Sequence, residues 1–266
     1  MSADPEKFNT AMTTWKEWQE APWGRIRYTL AEANLMRRLD APGGGLLRIL
    51  DLAGGDGGDA VRLAARGHHV TVVDHAPAML AAAETRAAAS GVTERLTCLQ
   101  ADVTALPADI TTGEFDVVMC HNLLQYVDDV PGTLATALTP LKNGGLFSLM
   151  AINRHSAPLN IAVRKMDPAA ALAALDSDRL RNEMFDSELT LHTAEEVIPV
   201  LEDLGCHDVR HHGIRSFCDY ITDDARKYDQ AYYDDLERLE LATTDRAPYM
   251  HTARLFQLTA RKRTDS

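Results

Sequence analysis

The sequence predicts a doubly wound α/β fold with a mostly parallel sheet, and three observations predict it. Short apolar or β-branched runs alternate with helical stretches through the first half of the chain. Those runs are apolar almost without interruption, as strands covered on both faces are. Polar residues gather where the runs end, at Asp74, Asp102, His121 and Asn153. Strand–helix alternation at this spacing builds right-handed βαβ units. Ligands in such sheets sit beyond the carboxyl ends of the strands, at the topological switch point.

The elements follow in order. Residues 48–52 (RILDL) read as a first strand that runs into a glycine-rich turn. Helical apolar spacing over Val61–Ala65 stops at Gly67, because a helix readily ends on a left-handed glycine. HVTVVD (69–74) is the second strand, and Pro77 opens a helix that Gly91 terminates. Residues 95–100 form the third strand and 115–122 the fourth. A helix over Pro131–Leu141 leads through Asn143-Gly144-Gly145 to a fifth strand, 146–153. Residues 154–192 hold mixed helical pieces, including an alanine-rich run. Thr193 and Glu196 form the capping box of a helix that reaches Leu204. Strands over 208–217 and 254–261 flank a polar helix around Ala225–Ala242. The expected organisation is one domain, 1–266. It comprises an N-terminal helical cap (1–45), a cofactor-binding core (46–153), a lid or insertion (154–192) and a substrate-side half (193–266).

Composition narrows the function. The 266 residues carry 39 acidic and 27 basic side chains, a formal net charge of −12, which opposes a broad electrostatic grip on phosphate backbones. No apolar run reaches the roughly 18 residues a membrane span needs, and no secretory signal opens the chain, so a cytoplasmic location is expected. Cys98, Cys120, Cys206 and Cys218 form no C-x-x-C pair. No histidine stands at zinc-like spacing from them, so no metal is expected.

The sharpest local signal is Asp51-Leu52-Ala53-Gly54-Gly55-Asp56-Gly57-Gly58, between a strand and a helix. Small residues there let a ligand approach the backbone. Asp74 ends the next strand about twenty residues on, where a carboxylate accepts both hydroxyls of an adenosine ribose. NAD and S-adenosylmethionine (SAM) sites share that chemistry. Two features favour SAM. The turn is not the G-x-G-x-x-G that cradles a pyrophosphate, and Asp102, followed by Val103, stands within reach of an adenine amino group.

These residues, over roughly 46–153, resemble the class I SAM-dependent methyltransferases, whose first motif glycine is Ala53 here. The resemblance implies a seven-stranded sheet, with Asp51, Ala53, Gly54 and Gly55 near the methionyl end of SAM, Asp74 on the ribose and Asp102 at the adenine. Shorter stretches resemble the bacterial tRNA carboxymethoxyuridine methyltransferases: Trp23-Gly24-Arg25-Ile26-Arg27, His121 to Val127, Asn153, Gly213 to Tyr220, and Pro248-Tyr249. That likeness implies Arg27 on the SAM carboxylate, His121 lining the cofactor pocket, and Asn153, Arg215, Tyr220 and Tyr249 toward the substrate. The implied acceptor is a carboxylate, on a modified tRNA wobble uridine or on a small molecule. The acidic, mixed run ALDSDRLRNEMFDSELTLH, where those tRNA enzymes are lysine-rich, keeps a small-molecule O- or N-methyl acceptor open. An ionised carboxylate needs no general base. A phenol or amine does, and His121 is then the candidate.

Overall fold

A computed structural model describes residues 12–39, 45–182 and 187–264. Parts of the expected cap (1–11 and 40–44) and of the expected lid (183–186) therefore lie outside the described residues. Helices α1 (Met12–Glu20) and α2 (Pro22–Leu39) precede the first strand. The core runs β1 (Arg48–Leu52), α3 (Gly58–Ala65), β2 (His69–Asp74), α4 (Pro77–Ala89), β3 (Leu96–Gln100), β4 (Phe115–His121), α5 (Val130–Leu138) and β5 (Leu141–Ile152). Next come α6 (Ser156–Asn160), a π-helical turn (Ile161–Lys165), α7 (Pro168–Ala174), β6 (Arg179–Asn182) and β7 (Ser187–Thr190). The chain closes with α8 (Ala194–Asp203), β8 (Cys206–Ile214), α9 (Gln230–Thr243), α10 (Tyr249–Thr252) and β9 (Leu255–Lys262).

The main sheet has seven strands in the order β3-β2-β1-β4-β5-β9-β8, and β9 runs antiparallel to both neighbours. Strand order reverses between β1 and β4, which pair in parallel from Ile49↔Val117 to Leu52↔Cys120. A crevice opens beyond the carboxyl ends of these two strands. The central strands β1, β2 and β4 are largely apolar and buried because helices cover both faces. Leu50, Val118, Phe147 and Leu258 pack with Val197 and Leu201 of α8 on one side. Ile49, Val72 and Met119 pack with Leu63 and Leu80 on the other.

The strand limits at 48–52 and 69–74 match the sequence reading. Elsewhere the differences have local causes. The helix after β4 begins at Val130, capped by Asp129, and ends at Leu138 rather than Leu141, just ahead of Pro140. Leu141 then pairs with Phe115 across a bulge, so β5 starts five residues earlier than expected. Strand β8 stops at Ile214 instead of 217, because Arg215 takes a left-handed conformation, φ 63°, that leaves the extended region. The β6–β7 ribbon within 154–192, antiparallel from Arg179↔Thr190 to Asn182↔Ser187, was not anticipated. The capping box at Thr193 is present, with both reciprocal hydrogen bonds made.

All four thiols are free, and only Cys98 is less than fully buried. Burial pushes the Cys98 thiol up to about 11. Among the described residues no helix is long and apolar enough to cross a membrane.

Candidate functional site

The turn after β1 is shaped by its backbone. Ala53, Gly55 and Gly57 all have positive φ, 54°, 55° and 72°. This wraps the chain back so that the amide of Gly54 bonds the carbonyl of Val73 on β2. Gly54 itself is a close-approach position. A Cβ there would lie 2.7 Å from Asp51 Oδ2 and 2.9 Å from Val72 Cγ1. Gly54→Ala is therefore expected to cost about 1–3 kcal/mol by overpacking, read as a lower midpoint in a calorimetric melt. An unshifted midpoint would show the turn to be slack.

This turn borders a cavity of about 780 Å³, the size of a small-molecule site. Its wall at the carboxyl ends of β1 and β2 is acidic. Asp51 is buried and faces the cavity, and no hydrogen bond from the described residues reaches its carboxyl oxygens. Burial, reinforced by Asp59 and opposed by Arg27, pushes its pKa well above the ordinary range. A cationic group in the cavity would reverse that. Asp74 accepts from the amides of Gly55 (Oδ2, 2.9 Å) and Ala76 (Oδ1, 2.9 Å), which fixes its carboxylate at the crevice edge. Asp102 accepts from the Thr104 amide and hydroxyl, both on Oδ1. These bonds, the amide first, hold its pKa below the usual value. Val103 lines the same wall.

Sequence reasoning missed Asp59. It sits in the first turn of α3 and joins Arg27 and His121, which come from distant segments. Arg27 Nη1 donates to both Asp59 oxygens, at 2.7 and 2.6 Å. Burial alone would raise the Asp59 pKa, but the Arg27 charge and the His121 hydrogen bond outweigh it and hold the carboxyl far below the ordinary range. His121 Nδ1 lies 3.0 Å from Asp59 Oδ2, and its Nε2 lies 2.9 Å from Ser148 Oγ. Ser148 already accepts from Gln257 Nε2 at 3.0 Å, so its own hydrogen is available to His121 Nε2. The tautomer consistent with these partners puts the ring proton on Nδ1, facing Asp59. Both nitrogens are then engaged inside the protein, and neither offers a lone pair to a ligand.

Basic side chains line the cavity as well. They are Arg215, Arg254 and Lys165, with Arg181 of β6. Arg215 is buried and Arg254 half-buried. Arg215 Nε stands 2.9 Å from Asp219 Oδ2, yet the pair is misaligned and neither atom is satisfied as a hydrogen-bond partner. Arg254 makes one described side-chain hydrogen bond, to Ser156 Oγ at 3.3 Å. Burial lowers its pKa; Asp219 opposes this and Arg215 adds to it. Arg254 was not anticipated, because in sequence it is only the first residue of an apolar strand. The stacked pair Trp15–Trp18, with centroids 5.1 Å apart, borders the same cavity.

The lining includes Arg27, Asp51, Ala53, Gly54, Gly55, Asp74, Asp102, Val103, His121 and Arg215. It does not include Asn153, Tyr220 or Tyr249, and each of these has another occupation. Asn153 Nδ2 donates to the carbonyls of His251 and Ala253. Tyr220 Oη donates to the carbonyl of Thr252. Tyr249 packs its ring on Phe217, 5.3 Å between centroids. All three hold the segment before β9 rather than face the cavity.

Comparison with known proteins agrees with this geometry. The family model described as "Methyltransferase domain" matches residues 49–145. The tRNA 5-carboxymethoxyuridine methyltransferase of Escherichia coli (strain K12) is 28% identical over 240 residues, 90% of this chain and 89% of that one. Among solved structures, a SAM-dependent methyltransferase of Thermotoga maritima superposes with a TM-score of 0.64 at 14% identity, covering 97% of this chain and 99% of that one. The Haemonchus contortus phosphoethanolamine N-methyltransferase 2, solved with S-adenosylhomocysteine, superposes at 0.56 with 19% identity, over 92% of this chain and 58% of that one. An acid-walled crevice at the strand switch point suits a sulfonium cofactor, and with these likenesses it makes the chain a SAM-dependent methyltransferase of the class I fold.

Proposed function

We propose that the methyl acceptor is a carboxylate, and that Arg215 and Arg254 hold it. One observation carries this reading. Arg215 and Arg254 both line the cavity; the carboxylate beside Arg215, that of Asp219, is misaligned with it, and Arg254 makes no ion pair among the described residues, which leaves positive charge facing the cavity. An unpaired buried charge is costly, and planar guanidiniums match a carboxylate in bidentate geometry. The acidic lining suits the cofactor: Asp51 would face the cationic methionyl end, Asp74 the ribose hydroxyls and Asp102 the adenine. Gly54 and Gly55 leave room for close approach. Arg27, with Nη1 committed to Asp59, offers its remaining N–H groups to the cofactor carboxylate.

Bound SAM supplies an electrophilic methyl group. The rest falls to alignment and exclusion of water. An ionised carboxylate is already the nucleophile, so the site needs no base. That agrees with His121, whose two nitrogens are engaged by Asp59 and Ser148. His121 is therefore a positioning residue, which orients the carboxylate that orients Arg27. The described residues of the segment 154–192, which contribute Asn160, Ile161, Lys165 and Leu180 to the lining, act as a lid over the acceptor.

The likeness to the Escherichia coli enzyme along nine-tenths of the chain favours a carboxymethoxyuridine in tRNA as the acceptor. The net charge of −12 favours a small-molecule carboxylate instead. Radiolabelled methyl transfer from SAM separates the two. Transfer to tRNA bearing 5-carboxymethoxyuridine, as a base-labile ester with steep salt dependence, supports the first. Transfer only to free carboxylic acids supports the second, and transfer only to amines or phenols overturns both. Arg254→Ala and Arg215→Ala are each expected to raise the acceptor KM at least about tenfold, the loss of one charged hydrogen bond, with SAM affinity unchanged. Wild-type kinetics in both would remove them from the acceptor site.

A further inference from the structure

Away from the crevice, side chains from distant parts of the sequence meet on one surface. Glu195 lies in the first turn of α8, His211 within β8, His251 on α10, and His155 directly before α6. Glu195, His211 and His251 each bring one ligating atom within 4.8 Å of the other two. His251 Nδ1 is 3.0 Å from Glu195 Oε1, and His155 Nε2 is 3.6 Å from Glu195 Oε2. The His211 and His251 rings meet edge to face with centroids 5.3 Å apart. His211 Nε2 is buried and has no hydrogen-bond partner.

An imidazole nitrogen buried without a partner loses its hydration and gains nothing in return. Here it stands beside a carboxylate and a second imidazole, the donor set of borderline divalent metals. Tetrahedral zinc, with ligands about 2.0–2.2 Å away, spaces neighbouring donor atoms roughly 3.3 Å apart. The His251–Glu195 pair, at 3.0 Å, is already close to that spacing, the Glu195, His211 and His251 donors lie within 4.8 Å of one another, and rotation of the side chains would close the set around an ion. Sequence spacing hid the group, because none of these residues lies in a short two-ligand motif.

We propose that Glu195, His211 and His251 form a zinc site, with His155 as the fourth ligand. Its place in the fold gives it a structural role. It ties α8, β8 and α10 together just ahead of Arg254, on the segment that Asn153 also anchors through the carbonyls of His251 and Ala253. The site is independent of the methyl acceptor and of SAM.

The test uses the untagged 266-residue chain, stripped with a chelator and titrated with Zn²⁺ alone by calorimetry, then with Co²⁺ followed by visible absorption. One equivalent of Zn²⁺ should bind, Co²⁺ should give the strong visible bands of a four-coordinate site, and the melting midpoint should rise. His251→Ala and Glu195→Gln, both at solvent-accessible positions, should each weaken Zn²⁺ binding at least tenfold. His211→Ala should do the same, while His69→Ala, on the exposed start of β2, should match wild type. Absence of stoichiometric binding, or His251→Ala and Glu195→Gln binding Zn²⁺ as tightly as wild type, would overturn the site.

Discussion

Asp74→Ala is expected to weaken SAM binding by about 100-fold or more. Each hydrogen bond to a charged group contributes roughly 1.5–3 kcal/mol, and two ribose hydroxyls would donate to this carboxylate. At about 1.4 kcal/mol per decade, losing both spans two to four decades. The same carboxylate also receives the Gly55 and Ala76 amides, so its removal loosens the turn as well as the ribose contact. Asp74→Asn separates these effects. It keeps the volume and one acceptor oxygen but turns a donor toward groups that themselves donate, and it should lose nearly as much affinity. Calorimetry with SAM and with S-adenosylhomocysteine, on variants whose far-ultraviolet dichroism is unchanged, reads the result. Wild-type dissociation constants would remove Asp74 from the ribose.

What the sequence disclosed, and what it withheld, follows from the range of the interactions involved. The ends of β1 and β2 were legible because β1 is an apolar run closed by a glycine-rich turn and β2 one closed by an acid, both local signals. The crevice followed, since parallel strands whose order reverses between β1 and β4 bring Asp51, Asp74 and His121 to the carboxyl ends of neighbouring strands. The β6–β7 ribbon was not legible. Arg-Leu-Arg-Asn and Ser-Glu-Leu-Thr are four-residue strands without a β-branched run, and their order comes from pairing with each other. Asp59 was hidden for a different reason. In sequence it is an ordinary acid in a helix's first turn, where the dipole alone would account for it. Its partners, Arg27 and His121, lie 32 and 62 residues away, so only the folded sheet reveals its role. Arg254 and the histidines around Glu195 share that property. Asn153, Tyr220 and Tyr249, which a resemblance places toward the substrate, are not among the cavity lining and make their contacts around the segment before β9.

Asp59→Ala carries the second large expectation, a loss of about 3–5 kcal/mol of folding stability, the usual result of stripping one partner from a buried ion pair. Arg27 is 4% exposed, and without Asp59 its guanidinium keeps the cost of dehydration and loses the compensating charge. His121 Nδ1 loses its acceptor in the same step. The pH dependence has a definite sign. The Asp59 carboxyl titrates well below its unfolded value in the native protein, so its contribution is fully present above the ordinary carboxylate range and is lost progressively as pH falls from about 4 toward that lower native value. Urea unfolding of the wild type should therefore lose stability between about pH 5 and pH 3, and Asp59→Ala should lose less over that interval. Adding Arg27→Met to Asp59→Ala should recover part of the loss, since an apolar side chain fills the space without an unpaired charge. Were Asp59→Ala no less stable than the exposed control Asp109→Ala, the Arg27–Asp59–His121 chain would not be what holds α2, α3 and β4 in register around the cofactor crevice.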